Sequence, residues 1–136
     1  MSAAPDLEAL FTAALAAQQK AYAPYSRFKV GAAILADDDA VYPGCNVENA
    51  AYPVGACAEA GAISAMIAGG ARAIRAIVVV GDGTELVTPC GACRQRIREF
   101  ATPETPIVIA GPEGIRARFS LIELLPASFG PANLPA

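Results

Sequence analysis

The chain has 136 residues with a formal net charge of −3, and 54% of its residues are hydrophobic. That length fits one domain spanning 1–136, and no glycine-serine linker divides the sequence. The acidic balance argues against a nucleic-acid partner, because phosphate binding needs dense lysine and arginine. No apolar run reaches the roughly 18 residues that a membrane helix needs, and the first residues lack the positive region of a signal peptide, so we expect a cytoplasmic protein without a membrane partner.

The predicted elements begin with a helix that Asp6 caps and that Pro24 ends. In chain order the sequence predicts helices at 7–22, 56–68, 90–100 and 121–125, and strands at 28–36, 40–47, 74–80, 107–110 and 115–119. Pro43 and Gly44 are expected to bulge or interrupt the second strand, and Ser120 with Glu123 forms a capping box before the last helix. A helix, a hairpin and then alternating strands and helices predict an α/β fold, a three-layer α/β/α arrangement around a mixed five-stranded sheet.

The most informative residues are Cys57, Glu59, Cys90 and Cys93 in a chain that lacks histidine. Three thiolates select zinc among the common divalent ions and leave a fourth tetrahedral position for water, whose pKa the metal lowers toward neutrality. Without histidine, acid-base chemistry near such a metal falls to a carboxylate, and Glu59 follows a ligand by two residues. Both ligand groups fall where helices begin, and the partial positive charge of a helix N-terminus favours thiolates.

Two other interpretations of the cysteines stay open at this point. Cys90 and Cys93 alone form a C-x-x-C pair, which is also typical of redox proteins. Adding Cys45 gives four cysteines, the number in a non-enzymatic structural zinc module, although one C-x-x-C with two separated cysteines is not the usual spacing of such modules. Four cysteines in a reducing compartment point to metal binding rather than to disulfides.

The segments CAE at 57–59 and PCGACRQ at 89–95 match the three-cysteine form of the zinc deaminase pattern. The chain resembles the small, homotetrameric cytidine deaminases, and the likeness extends over YAPYSRFKVG at 22–31, GCNVENAAY at 44–52 and ELLP at 123–126. The resemblance implies a cytidine deaminase-like fold and one catalytic Zn²⁺ per chain, held by Cys57, Cys90 and Cys93. It also implies hydrolysis of cytidine and 2′-deoxycytidine to uridine and 2′-deoxyuridine with release of ammonia, a reaction of pyrimidine salvage in which Glu59 carries protons. Deamination of another amino-heterocycle is the alternative.

The same resemblance assigns substrate contacts. Asn46 and Glu48 would hydrogen-bond the ribose hydroxyls, since residues two apart in an extended segment project to one side. Phe28 would lie against the pyrimidine ring, and the backbone of Ala58 would contact the exocyclic amine. The resemblance further implies that Tyr52 and Phe129 complete a neighbouring subunit's pocket in a homotetramer.

The sequence departs from the family pattern at Ala60, where many three-cysteine members have an arginine that offsets the thiolate charge. We expect the helix N-termini and another cation, with Arg94 as the candidate, to take over that task. We also predict a more basic metal-bound water than in a relative that has the arginine.

Overall fold

A computed structural model describes residues 4–135 of the chain. It contains four α-helices, α1 to α4 in chain order, at Leu7–Gln18, Ala58–Ala68, Gly91–Phe100 and Leu121–Leu124. Its five strands, β1 to β5, lie at Val30–Ala36, Val41–Cys45, Ile74–Gly81, Pro106–Gly111 and Gly114–Ser120. Two single turns of 3-10 helix lie at Tyr52–Val54 and Pro131–Asn133. None of the described helices is long and apolar enough to cross a membrane.

The strands form one mixed sheet in the order β2-β1-β3-β4-β5. Only β3 and β4 pair in parallel, and the other three pairings are antiparallel. The connection between β3 and β4 passes through α3, as a parallel crossover requires. The prediction of a mixed five-stranded sheet is therefore confirmed, including its antiparallel edge.

Alternate residues of the central strands face two different layers of helix. On one face α1 packs through Leu10 and Ala14 against Val78, Val80 and other strand residues. On the opposite face a larger core includes residues of α2, α3 and α4, namely Ala58, Ala62, Ile63, Met66, Ile97 and Leu121. Strands buried on both faces read as continuous apolar runs, which is why β3 carries three consecutive valines. The structure has the predicted three layers.

The first helix is shorter than predicted, because α1 ends at Gln18 rather than near Tyr22. The backbone of Tyr22 is extended and pairs with another segment: its N–H donates to Asn46 O at 3.0 Å, and its carbonyl accepts from Glu48 N at 2.8 Å. The Gln18 side chain donates to Lys29 O and to Asp82 Oδ1, both at 3.0 Å. Long-range pairing therefore overrides the local helical pattern after Gln18.

The first strand also begins later than predicted, at Val30 instead of Phe28. Side chains satisfy the backbone before it: Phe28 N donates to Ser26 Oγ at 3.0 Å, and Lys29 N donates to Asp82 Oδ2 at 2.9 Å. The sequence pattern cannot distinguish a segment whose backbone is bonded by side chains from a strand bonded to its neighbour, because the backbone is extended in both.

The predicted interruption of the second strand is wrong. β1 and β2 pair without a break, with Pro43 opposite Ala33 and Gly44 opposite Ala32. Proline is tolerated because β2 lies at the edge of the sheet. A Cβ on Gly44 would lie 2.4 Å from Ala62 N. Because glycine has no side chain, α2 can pack closely against β2 at this position.

The capping signals are confirmed at both ends of the chain. Asp6 accepts from Ala9 N at 3.1 Å at the start of α1, and Glu123 accepts from Ser120 N at 2.8 Å before α4. The two helices that carry the metal motif begin slightly later than predicted, so that Cys57 and Cys90 are their N-cap residues.

Candidate metal and acid-base site

Three cysteine sulfurs meet where α2 and α3 begin. Cys57 caps α2, Cys90 caps α3, and Cys93 lies in the first turn of α3. Their sulfurs lie within 4.8 Å of one another, and among residues 4–135 no other group of three or more potential ligands is this close. Tetrahedral zinc with Zn–S bonds of about 2.3 Å separates its sulfurs by about 3.8 Å. The donor set and the spacing therefore fit zinc, and Cys45 lies outside the group.

The three thiols have different environments. Burial raises the pKa of Cys57 and, more strongly, that of the fully buried Cys93. Interaction with the backbone N–H of Cys93 lowers the pKa of Cys90, as expected for a sulfur at a helix N-terminus. A divalent cation among the three sulfurs would favour all the thiolates, so metal binding would release protons.

Glu59 is the buried carboxylic acid of this site, with 5% of its surface exposed. It lies two residues after Cys57 in the first turn of α2 and borders a cavity of about 200 Å³. Burial is the main cause that raises its pKa, and the charge of Arg96 lowers it to a smaller extent. Cys57, Ala58, Cys90 and Asn46 border the same cavity. The structure therefore brings the predicted acid together with two metal ligands.

The cation that contacts a ligand sulfur is Arg96, which the sequence analysis did not select. Its Nη1 donates to Cys93 Sγ at 3.4 Å. Arg94, the expected substitute for an arginine at position 60, instead donates to Pro89 O at 2.7 Å and to Leu124 O at 2.8 Å. Arg94 therefore ties the start of α3 to the end of α4. Arg96 follows Cys93 by three residues, the helical spacing that places two side chains on one face.

Asn46 has two hydrogen bonds within the protein. Its Oδ1 accepts from Val30 N at 2.9 Å, and its Nδ2 donates to Phe28 O at 2.9 Å. The side chain thus joins the end of β2 to the start of β1 while it borders the cavity of Glu59. An amide has two acceptor lone pairs and two donor hydrogens, so one of each stays available.

Glu48 is placed in a different cavity from its predicted partner Asn46. Its Oε1 accepts from Tyr25 N at 2.9 Å and from Ser26 N at 3.1 Å, and its Oε2 accepts from Ser26 Oγ. The hydrogen bond from Ser26 Oγ is the main cause that lowers the pKa of Glu48, so the group is ionised at neutral pH. Together with Asn49 and Tyr52 these residues border a cavity of about 370 Å³.

None of the three predicted aromatic side chains borders the cavity of Glu59. Tyr52 is 75% exposed, and its ring meets that of Tyr25 edge-on with centroids 6.1 Å apart. Phe28 and Phe129 are exposed as well, and neither borders the cavity of Glu59 or that of Glu48. Phe129 is fixed through its backbone, whose carbonyl accepts from Gln95 Nε2 at 3.0 Å.

The sequence analysis missed four residues of the site besides its predicted members. Val30, Val87 and Thr88 border the cavity of Glu59, and Arg96 contacts Cys93. The position of Thr88 directly before the Pro-Cys pair was an available signal, as was the three-residue spacing of Arg96 from Cys93. Val30 and Val87 gave no signal, because apolar residues beside strands are usually core residues.

Known proteins resemble this chain over most of its length. Residues 5–109 match the family model of the cytidine and deoxycytidylate deaminase zinc-binding region. A cytidine deaminase of Sporosarcina psychrophila is 41% identical over 95% of each chain, and one of Mycobacterium tuberculosis is 46% identical over 85% of this chain and 83% of its own. The crystal structure of cytidine deaminase from Burkholderia pseudomallei superposes with a TM-score of 0.84 at 46% identity, covering 90% of this chain and 98% of the other. With the three-cysteine site in place on this fold, the chain belongs to the cytidine deaminase family.

Proposed function

We propose that the protein is a zinc-dependent hydrolase that converts cytidine and 2′-deoxycytidine to uridine and 2′-deoxyuridine with release of ammonia, as in pyrimidine salvage. The observation that carries the proposal is the buried Glu59 carboxyl beside Cys57 and Cys90 in one cavity. A structural zinc site needs only its four ligands, so it does not require a buried carboxylic acid next to them. A redox pair does not require a third sulfur within 4.8 Å of the other two.

Cys57, Cys90 and Cys93 would hold the metal, one Zn²⁺ per chain. When bound, zinc supplies a water molecule activated for addition to C4 of the pyrimidine. Glu59 would accept one proton from that water and give it to N3 of the ring, and would then move the remaining proton of the hydroxyl added at C4 to the departing amine. Hydrolysis thus consumes one water and releases one ammonia, with no oxidant or reductant. Burial raises the pKa of Glu59 toward the range in which a carboxyl group both accepts and donates.

The remaining groups bind and orient the nucleoside. Ala58 borders the cavity between the ligand and the acid, where its backbone would contact the exocyclic amine. Asn46 keeps one donor and one acceptor for a ribose hydroxyl, and its two internal bonds hold the amide in place before substrate arrives. Glu48, ionised and held by the 25–26 backbone, would accept from a second hydroxyl. Phe28 borders neither cavity, but its carbonyl accepts from Asn46 Nδ2 at 2.9 Å, and its ring would lie against a base bound next to Asn46.

Assembly is part of the proposal. The rim near Glu48 exposes several large apolar side chains, namely Tyr22, Tyr25, Val47, Tyr52 and Val54. Such a patch on a small domain favours burial between subunits. We place Tyr52 and Phe129 at the pockets of neighbouring subunits in a homotetramer, each subunit a single domain. The free cysteines among the described residues agree with a reducing, cytoplasmic location.

The experiment follows the ultraviolet absorbance of cytidine mixed with purified, zinc-loaded protein. We expect the cytidine spectrum to change to that of uridine, and a Glu59→Ala variant that retains one zinc per chain to lose about 10²-fold to 10⁴-fold in rate. Glu99→Ala removes an exposed carboxylate from α3 and is the matched control. A folded, zinc-loaded wild type that leaves cytidine, 2′-deoxycytidine and cytosine unchanged would contradict the proposal and redirect the search to other amino-heterocycles.

A further inference from the structure

The proposed metal site has a charge that the protein must stabilise. Three thiolates and one Zn²⁺ sum to a formal charge of −1. Cys93 is fully buried, and the buried Glu59 adds a second negative charge whenever it is ionised. Burying net charge is costly unless hydrogen bonds or opposite charges compensate it. The residues that supply this compensation therefore influence how tightly the metal is held.

Two of the three predicted ligands stand at helix N-termini. Cys57 and Cys90 are the N-cap residues of α2 and α3, where free N–H groups and the positive end of the helix dipole favour a thiolate. Cys93 lies further inside α3, in its first turn. It is also fully buried and lies within the helix rather than at its N-cap, so it is the ligand in greatest need of a positive partner.

Arg96 is that partner. Its Nη1 donates to Cys93 Sγ at 3.4 Å, and this is the only hydrogen bond from an arginine to a cysteine sulfur that the structure shows within residues 4–135. The other arginines of α3 donate to oxygens, Arg94 to Pro89 O and Leu124 O, and Arg98 to Ser128 Oγ at 3.2 Å. Arg96 itself is exposed, so its guanidinium keeps its hydration while one N–H reaches the buried sulfur.

From this geometry we infer that Arg96 is a positioning residue of the metal site: it orients the Cys93 thiolate as a ligand and offsets the net charge of the three-thiolate centre. The inference rests on the zinc site of the proposed function. Arg96 acts through Cys93, so it influences metal affinity and the electron density on sulfur whether or not cytidine is the substrate. Groups that hydrogen-bond metal ligands typically change metal affinity by about 10-fold to 100-fold when they are removed.

The test compares two substitutions on one helix that each remove one positive charge. Zinc affinity is measured by competition with a chromophoric chelator for the wild type, Arg96→Met, Arg98→Met and Arg96→Lys. We expect Arg96→Met to weaken zinc binding about 10-fold to 100-fold, Arg98→Met to match the wild type, and Arg96→Lys to recover part of the loss because it keeps the charge. Thermal unfolding of each metal-free variant identifies any general loss of folding.

A spectroscopic measurement separates sulfur positioning from a structural effect. Cobalt(II) bound to thiolates absorbs in the near ultraviolet through transfer of one electron from sulfur to the metal, and a hydrogen bond to sulfur lowers the energy of the lone pair from which that electron comes. In cobalt-loaded Arg96→Met this band is expected at longer wavelength than in the wild type, and in Arg98→Met it is expected unchanged. Equal affinities and identical bands for the two Met variants would overturn the inference. A wild type that binds no zinc would instead overturn the proposed function.

Discussion

The candidate site has a buried end, formed by Glu59 and the three cysteines of the metal motif, and a rim, formed by Glu48 and Tyr52, and the protein supports the two differently. Glu59 and Cys93 are buried where two helices begin, and their helix neighbours Ala58 and Ile97 belong to the core that packs against the sheet. Glu48 and Tyr52 lie in an exposed segment between β2 and α2, where Tyr52 is 75% exposed. The comparison indicates that the proposed metal ligands and acid are positioned by the fold of one chain, whereas the exposed rim is where we propose that the nucleoside or another subunit binds.

The largest expected effect comes from removing a metal ligand. Cys57→Ser should lower the zinc content from one per chain to near zero and reduce cytidine turnover to background, because a serine hydroxyl does not replace a thiolate ligand. Cys45→Ser should change neither, since Cys45 lies outside the sulfur group. Zinc analysis with the absorbance assay checks both. Equal metal loss in the two variants would support a four-cysteine module instead.

A substitution that displaces α2 should lower both stability and activity even though it changes none of the three sulfurs. In Gly44→Ala the new Cβ would lie 2.4 Å from Ala62 N, so α2, which carries Glu59, must shift. We expect the free energy of unfolding to fall by about 1–3 kcal/mol and kcat to fall with it. Gly61→Ala is the control, because its Cβ would meet nothing closer than 3.7 Å, and alanine in a helix should add about 1 kcal/mol. Denaturant unfolding at equal zinc loading measures both.

A substitution at the rim should affect binding rather than chemistry. Glu48→Gln keeps the shape of the side chain but removes the charge that would accept a ribose hydroxyl. We expect KM for cytidine to rise about 10-fold, the worth of one hydrogen bond to a charged group, with little change in kcat. Steady-state kinetics separates the two constants. A fall in kcat with unchanged KM would place Glu48 in the chemical step and break the contrast between the two ends.

The buried carboxyl predicts a pH-dependent stability of the metal-free protein. Burial raises the folded-state pKa of Glu59 above its unfolded value of about 4.3. The stabilising contribution of the protonated form is fully present below that unfolded pKa and is lost as pH rises through the folded pKa. Glu59→Gln cannot ionise, so its stability relative to the wild type should increase from pH 4 to pH 7. Chemical denaturation at both pH values measures the difference, and a constant difference would contradict the prediction.

The smallest expected effect on folding is at Tyr52. Because its side chain is 75% exposed, Tyr52→Ala should change the free energy of unfolding by less than about 0.5 kcal/mol. If pockets are shared in a homotetramer, the variant should nevertheless raise KM or weaken assembly, which kinetics and sedimentation velocity measure. An assembled variant with wild-type KM would remove Tyr52 from the proposed site. Ala58→Gly is the corresponding change in the buried end. It should lower the free energy of unfolding by about 1 kcal/mol, because glycine is a poor helix former and Ala58 begins α2.

The sequence by itself predicted which residues form the proposed metal site at the buried end. The spacing of Cys57, Glu59, Cys90 and Cys93 could be interpreted without a structure, because helix starts and three-residue spacings are local properties of the chain. The alternating strands and helices likewise predicted the three-layer fold, since each element carries its own apolar pattern. The bounds of α1 and β1 were less accurate, because long-range hydrogen bonds decide where those elements stop and start.

Only the tertiary structure decided which charged and polar groups meet. Arg94 and Arg96 both follow a cysteine at helical spacing, but the carbonyl of Leu124, 30 residues away, accepts from Arg94 and leaves Arg96 to reach Cys93. In the same way, Asn46 and Glu48 lie two apart in sequence yet border different cavities, because Val30 and Ser26 hold them from separate segments. The physical reason is that a side chain's partner depends on distant segments that the fold brings together, which local spacing does not encode.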